Sequence, residues 1–137
     1  MGETVRAVAY FKMSVPDKPG VAAEVLGRVR DAGIDLLAFS GFPRRRGAQL
    51  DFVVTDPRAF KAAVKGARLK IAGPKTCFVI SGEDRPGAVA DVLATLAREN
   101  INVTAIDATC AGQGRYGAIL WVKPRDVKKA AGVLAAV

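Results

Sequence analysis

One segment of the chain recurs at an interval of 67 residues, and this repeat limits the folds that the chain can adopt. Residues 17–21 (DKPGV) return as residues 84–88 (DRPGA), each time between a strand-like run and a helical pattern. Aligning the chain with itself at this offset, from Ala9/Thr76 to Lys70/Val137, gives 15 identities in 62 pairs without a gap. The fold must therefore contain one small unit twice.

Composition limits the class of protein. The chain has 137 residues, so each copy is near the size at which a single core is marginal, and we expect each to bury a face against a neighbour. No apolar run approaches the roughly 18 residues that a membrane helix needs. Arg6 and Lys12 interrupt the N-terminal apolar residues, which argues against a signal peptide. We expect a soluble, cytoplasmic protein.

The chain is basic and lacks histidine. Its net charge is +8, and Arg44-Arg45-Arg46 contributes a large part of the excess. A basic chain can bind an anionic partner, but an arginine triplet in a turn is more often a solvated surface. Without histidine there can be no His-dependent catalytic triad and no His metal ligand, which disfavours a self-contained hydrolase. No cofactor is expected.

The order of predicted elements is the same in both copies. In copy one the patterns predict strands at Val5–Ser14, Ile34–Phe42, Ala48–Thr55 and Arg68–Ala72. One helix follows Gly20 and ends at Gly33, and a second begins at Asp56-Pro57. Copy two repeats this order with strands at Lys75–Ser81, Asn102–Cys110 and Arg115–Lys123, a helix over about residues 87–98 and a last helix from about Pro124.

These patterns predict an α+β protein made of two tandem ferredoxin-like βαββαβ units, with antiparallel sheets and helices on one face. The predicted domains are residues 1–72 and 73–137. The chain stops at Val137, where the last strand of copy two would begin. Either that strand is missing and its sheet edge is open, or another segment or chain covers the edge.

The same topology separates the two cysteines. Cys77 falls on the first strand of copy two and Cys110 near the end of the second, with the third strand between them. Two strand spacings are about 9.5 Å, beyond the roughly 7 Å over which a disulfide can form. We expect free thiols without a redox role.

The repeated Asp-x-Pro-Gly loop is the candidate binding element. Its proline restricts φ and its glycine has no side chain, so another molecule can approach the start of the following helix. Helix N-termini present free N–H groups that suit a carboxylate. Asp17 or Asp84 could instead cap its helix or accept a ligand ammonium. A purely structural role, in which the motif only forms a turn and starts a helix, explains the residues about as well as a ligand-binding role does.

The two copies resemble the ACT domain, the small-molecule-binding regulatory module of amino-acid metabolism. The resemblance rests on a hydrophobic strand, Asp-x-Pro-Gly, a Val/Ala-rich helix and the approach to the second strand. Residues 84–93 (DRPGAVADVL) and 99–103 (ENINV) fit the pattern well, whereas copy one has Asp35 where Asn is favoured. The match covers nearly the whole chain and implies a stand-alone, non-enzymatic protein that senses an amino acid and modulates a partner enzyme or regulator.

The resemblance also implies the site residues. ACT domains commonly pair through their second strands, and the effector sits between the loop of one domain and the second strand of its neighbour. Carried over by position, copy two contributes Asp84, Arg85, Pro86, Gly87, Ala88, Asn102, Val103 and Thr104. Copy one contributes Asp17, Lys18, Pro19, Gly20, Val21, Asp35, Leu36 and Leu37. Asn102 can both donate and accept hydrogen bonds, whereas an ionised Asp35 only accepts, so copy two is expected to hold the better site.

Two other functions share this topology. An RRM-like RNA-binding protein has the same βαββαβ order, and residues 116–121 (YGAILW) partly imitate its third strand, but Ala118 replaces a stacking aromatic. An acylphosphatase uses a loop arginine and an asparagine, which Arg85 and Asn102 imitate, but Pro86 removes a backbone donor from the loop. Small sheets with open edges also favour a homodimer.

Overall fold

The computed structural model describes residues 2–66 and 70–137, and within them it contains six strands and four α-helices. The predicted strand Arg68–Ala72 lies partly outside the described residues. In chain order the elements are β1 (Thr4–Val15), α1 (Val21–Asp31), β2 (Ala38–Pro43), β3 (Ala48–Val54), α2 (Pro57–Val64), β4 (Lys70–Glu83), α3 (Ala88–Arg98), β5 (Val103–Cys110), β6 (Arg115–Val122), a 3₁₀ turn (Pro124–Asp126) and α4 (Val127–Val133).

The chain forms two compact units. Residues Ala9–Lys75 make up the first-copy unit, and Thr76–Val137 together with the N-terminal residues up to Val8 make up the second-copy unit. Strands β1 and β4 are long enough to contribute to both units. The N-terminal residues, which the sequence patterns placed with copy one, thus belong to the unit of copy two.

The first-copy unit has the predicted ferredoxin-like order. Its strands are arranged β2-β3-β1-β4, and β3 pairs antiparallel with both β1 and β2. The core contains the stacked rings of Phe11 and Phe60, with centroids 4.9 Å apart, and the ring of Phe52, whose centroid is 5.0 Å from that of Phe60. The predicted cap of α2 is confirmed, because the Asp56 carboxylate accepts hydrogen bonds from the backbone N–H groups of Arg58 and Ala59.

The second-copy unit takes its fourth strand from the start of the chain. Its strand order is β1-β4-β6-β5, so the N-terminal part of β1 occupies the place of the strand that copy two lacks. The side chain of Val5 is buried in this unit's core. The Val137 N–H donates to the Val5 carbonyl at 3.0 Å, and its carbonyl accepts from the Ala7 N–H at 3.0 Å. The edge left by the absent last strand is therefore covered by another segment of the same chain.

The predicted break between the copies is wrong in one respect. Gly73-Pro74 was expected to end one strand before another began, but β4 runs without interruption from Lys70 to Glu83. A Cβ atom at Gly73 would lie 2.8 Å from the carbonyl oxygen of Tyr10, closer than real Cβ contacts. A glycine at this position therefore lets β4 continue beside β1, because any side chain there would collide with the backbone of β1.

Neither Cys77 nor Cys110 forms a disulfide, as predicted. Cys77 is buried on β4, and Cys110 is exposed at the end of β5. Strand β6 pairs with both β4 and β5 and so separates them.

Candidate ligand-binding site

The loop of residues 84–88 joins β4 to α3 and leaves the start of that helix open. Gly87 is the N-cap residue of α3, in the left-handed conformation with φ 82°. No side chain in residues 2–66 and 70–137 caps the helix, so Asp84 does not serve as its cap. A Cβ atom added at Gly87 would find no described heavy atom within 4 Å. The Ala88 N–H donates to the Arg85 carbonyl at 3.3 Å, and no side chain of the described residues caps the remaining N–H groups of the first turn. Such an arrangement can accept a carboxylate.

The loop of residues 17–21 reproduces this geometry in the first-copy unit. Gly20 is the N-cap residue of α1 with φ 88°, and this helix too has no side-chain cap from the described part of the chain. A Cβ atom at Gly20 would also have no described neighbour within 4 Å. The repeat therefore preserves an open helix start at the same place in both units.

Arg85 is held by acidic side chains. Its guanidinium Nη2 donates to the Asp91 carboxylate at 2.7 Å and lies 3.9 Å from the Glu3 carboxylate. The hydrogen bond to Asp91 is the main cause that raises the pKa of Arg85. Lys18, the equivalent residue of copy one, makes no side-chain hydrogen bond or ion pair within the described part of the chain. The positive charge of the copy-two loop is therefore partly neutralised by acidic side chains of its own unit, whereas that of the copy-one loop is not paired with any described side chain.

Asp84 is tied to the β5–β6 hairpin. Its backbone N–H donates to the Gly114 carbonyl at 2.8 Å. Its carboxylate accepts a hydrogen bond from the thiol of Cys110, and this bond raises the pKa of the Cys110 thiol. The first residue of the loop is therefore anchored to the β5–β6 hairpin.

Glu3 and Tyr116 are neighbours of the loop that the sequence patterns did not identify. The side chain of Glu3 is only 3% exposed, and Tyr116 is buried. The Glu3 Oε1 and Tyr116 Oη atoms are buried and have no hydrogen-bond partner among the described residues. Burial, and next the charge of Glu3, raise the pKa of Tyr116. Glu3 precedes the repeated segment and no motif marked it.

Asn102, Val103 and Thr104 lie at the far end of the sheet from the loop of their own unit. Val103 pairs with Val122 on β6, whereas Gly82, close to the loop, pairs with Tyr116. Six residues of strand separate these pairs, which corresponds to about 20 Å. The Thr104 hydroxyl donates to the Trp121 carbonyl at 3.1 Å.

The first-copy unit shows the same separation. Leu37 donates its N–H to the Val53 carbonyl at 2.9 Å, and the Asp35 carboxylate accepts from the Leu36 N–H at 3.0 Å. The loop of residues 17–21 follows Val15, which pairs with Ala48 at the other end of β3. The first and second strands of a split βαβ unit both run antiparallel to the third, so the end of one is far from the start of the other. Neither unit by itself brings its loop to the residues predicted for its second strand. Of these, Asp35, Leu36, Leu37 and Asn102 precede β2 and β5 rather than lying in them.

These positions bear on both alternative functions. An acylphosphatase-like site needs Arg85 near Asn102, but Arg85 is paired with Asp91 and Asn102 lies at the opposite sheet end. An RRM-like surface needs exposed aromatics on its central strands, but both Tyr116 and Trp121 of β6 are buried. The geometry supports neither function.

Residues 2–66 and 70–137 contain no group of three or more Cys, Asp or Glu side chains that could hold a metal ion. None of the helices in this same part of the chain is long and apolar enough to cross a membrane.

The profile of the ACT domain matches twice, at residues 9–65 and 77–137. The chain belongs to the ACT domain family. The matched ranges correspond to the two copies of the repeat, so this is a tandem ACT protein. Membership supports a regulatory, small-molecule-binding role for the chain.

Solved structures show the same fold. A protein from Bacteroides thetaiotaomicron has a TM-score of 0.80 and 21% identity, over 98% of this chain and 90% of that one. The regulatory subunit of aspartate kinase from Thermus flavus has a TM-score of 0.70 and 18% identity, over 98% and 94%. A structure of aspartokinase alpha and beta subunits has a TM-score of 0.68 and 23% identity, over 98% and 95%. No curated protein matches the sequence.

Proposed function

We propose that this tandem ACT protein is a non-enzymatic regulator that binds an amino acid and thereby changes the activity of a partner enzyme or regulator supplied in trans. The observation that carries the proposal is the repeated open helix start. Gly20 and Gly87 both adopt the left-handed conformation in front of an uncapped helix, with free space where a side chain would project. Such a site can hold an α-carboxylate on backbone N–H groups.

In this proposal the remaining contacts come from an ACT unit of a second copy of the chain, here called the neighbour. The second-strand residues cannot reach the loop of their own unit, because about 20 Å of strand separates them. Pairing with a neighbour brings Asn102 or Asp35 of one unit towards the loop of another. Asn102 then supplies both a donor and an acceptor to the ligand, whereas Asp35 supplies acceptors for its ammonium.

The similar solved structures are consistent with this role. One of them is a regulatory subunit of aspartate kinase, which supports a regulatory role for this chain. Ligand binding would act by favouring one conformation or assembly state of the ACT protein over another.

A thermal-shift screen against the twenty amino acids tests the proposal. A ligand that binds only the folded protein at 100 times its Kd stabilises it by about 2.7 kcal/mol, which raises Tm by several degrees. We expect one amino acid or a chemically related group to do so. If no amino acid raises Tm at millimolar concentration, the proposal fails.

A further inference from the structure

The turn between β2 and β3 carries an unusual concentration of positive charge. We call residues Phe42–Gly47 the arginine hairpin. Arg44, Arg45 and Arg46 are all exposed, and with Pro43 they line an open concavity of about 700 Å³. The guanidinium of Arg44 lies 5.7 Å from the ring centroid of Phe42, itself 38% exposed. The hairpin therefore presents three cations beside an aromatic surface.

These three cations are not neutralised by the protein. Within residues 2–66 and 70–137, none of the three guanidinium groups forms an ion pair or a hydrogen bond with another side chain. Adjacent like charges repel one another, so leaving them together without carboxylates costs stability. An anionic partner would remove that repulsion.

The positive charge belongs almost wholly to one unit. The first-copy unit contains 13 basic and 6 acidic residues, a net charge of +7. The second-copy unit contains 8 basic and 7 acidic residues, a net charge of +1. At the repeat positions of the triplet, copy two has the neutral residues Ala111, Gly112 and Gln113. The fold does not require the arginines, because the same hairpin forms without them.

The arginine hairpin lies at the same end of its unit as the candidate ligand loop. Gly47 has φ +81°, and a Cβ atom there would clash with the carbonyl oxygen of Val15, which immediately precedes that loop. Pro43 and Val15 both pair with Ala48 on β3. A partner bound to the hairpin would therefore sit close to Lys18 and Gly20, where it can respond to a bound amino acid.

We propose that the arginine hairpin is the docking surface for an acidic segment of a partner protein. The openness of the concavity favours a segment of a macromolecule, since a small-molecule site buries most of its ligand. The ring of Phe42, which is 38% exposed beside the arginines, offers an apolar contact to such a segment. The inference rests on the proposed function insofar as that function calls for a partner in trans.

A peptide-binding experiment tests this surface. The probe is a short fluorescent peptide of alternating glutamate and tyrosine, compared with one of alternating glutamine and tyrosine. The test variant is Arg44→Gln/Arg45→Gln/Arg46→Gln. The matched control is Lys123→Gln/Arg125→Gln/Lys128→Gln, which removes three exposed cations from the other unit. The Tm of each variant shows whether it is folded. If the triple variant is unfolded, the single variant Arg45→Glu replaces it as the test variant.

We expect the glutamate peptide to bind the wild type more weakly as salt rises, because its charges are screened. Binding should weaken at least about ten-fold in the test variant and less than about two-fold in the control. Equal weakening in both variants, or equal binding of both peptides, would overturn the proposal. The proposal would also be wrong if the wild type bound single-stranded oligouridylate more tightly than the glutamate peptide and the test variant lost that binding. It would be wrong, too, if the test variant lost self-association but still bound the peptide normally.

The two proposals fail separately. If the amino-acid thermal shift persists in the test variant but the glutamate peptide does not bind the wild type, only the docking surface is wrong. If the peptide binds as expected and no amino acid shifts Tm, the ligand site is wrong and the docking surface stands.

Discussion

Glu3 and Arg85 form an ion pair across 3.9 Å that joins the N-terminal end of the chain to the loop before α3. The Glu3 side chain is almost fully buried, whereas that of Arg85 is 39% exposed and is also bound to Asp91. Solvent therefore screens the pair on the arginine side. We therefore expect the pair to contribute little to the stability of the fold.

A double-mutant cycle on this pair should give a small coupling energy. The variants are Glu3→Gln, Arg85→Gln and their combination, followed by urea unfolding at low and high salt. We expect the coupling to shrink as salt rises, because a partly exposed pair is screened. A large coupling that salt does not change would mean that the pair is desolvated like a buried ion pair.

Replacing Val5 with Ala should destabilise the second-copy unit by about 2 kcal/mol, because it removes buried methyl groups from the core. Val5 is only 2% exposed and packs in that core, although it lies far from the unit in sequence. Thr4→Ala, at the exposed neighbouring position, is the control. Urea unfolding measures both, and equal stability of the two variants would contradict the assignment of the N-terminal strand to this unit.

Replacing Tyr116 with Phe should stabilise the protein by about 1 kcal/mol at neutral pH, because the variant no longer buries an unsatisfied hydroxyl. The stability of the variant should also depend less on alkaline pH.

Burial raises the folded-state pKa of Tyr116 above its ordinary value of 10.0. The stability that this shift gives to the wild type is fully present below pH 10.0 and is lost as pH rises through the folded-state pKa, whereas a phenylalanine has no proton to lose.

Urea unfolding of the wild type and Tyr116→Phe between neutral and strongly alkaline pH measures both effects. The difference in unfolding free energy between the two proteins isolates this phenol from the other groups that titrate there. A variant that is less stable at neutral pH would show that the Tyr116 hydroxyl has a partner, such as a buried water.

The repeat allowed most of the fold to be predicted, and the part it could not reveal lies outside it. The alignment of the copies begins at Ala9, so it contains no information about Glu3 or Val5. The pattern from Val5 to Ser14 is one continuous strand, and its alternation of side chains is the same whichever unit a residue joins. Local patterns specify strands, whereas the choice of neighbouring strand depends on long-range packing.

The candidate site was predictable only in part for the same reason. Gly20 and Gly87 were identified because the motif itself requires glycine before an open helix start. The contacts of Arg85 with Asp91 and Glu3 depend on side-chain placement around the loop, which no spacing rule specifies. Residue type alone therefore predicted Arg85 as a site residue without indicating its two acidic partners.

The protein should form a homodimer. Strands β2 and β5 each end the strand order of their own unit, which leaves backbone groups available for pairing with a second copy. Sedimentation velocity over a range of concentrations, with and without the best amino acid of the screen, measures this. A monomer under all these conditions would contradict the prediction and would also remove the neighbour that the ligand site requires.

Blocking the open helix start should abolish amino-acid binding. A leucine at Gly87 or Gly20 would fill the free space before α3 or α1, at some cost in stability because φ is positive at both positions. Asn102→Ala should weaken binding by about 1–3 kcal/mol through the loss of one or two hydrogen bonds to the ligand. If copy two supplies the better site, Gly20→Leu and Asp35→Ala should have smaller effects. Isothermal titration calorimetry with the best amino acid of the screen measures these affinities. If Gly87→Leu and Asn102→Ala both fold and both bind with unchanged affinity, the ligand binds elsewhere on the protein.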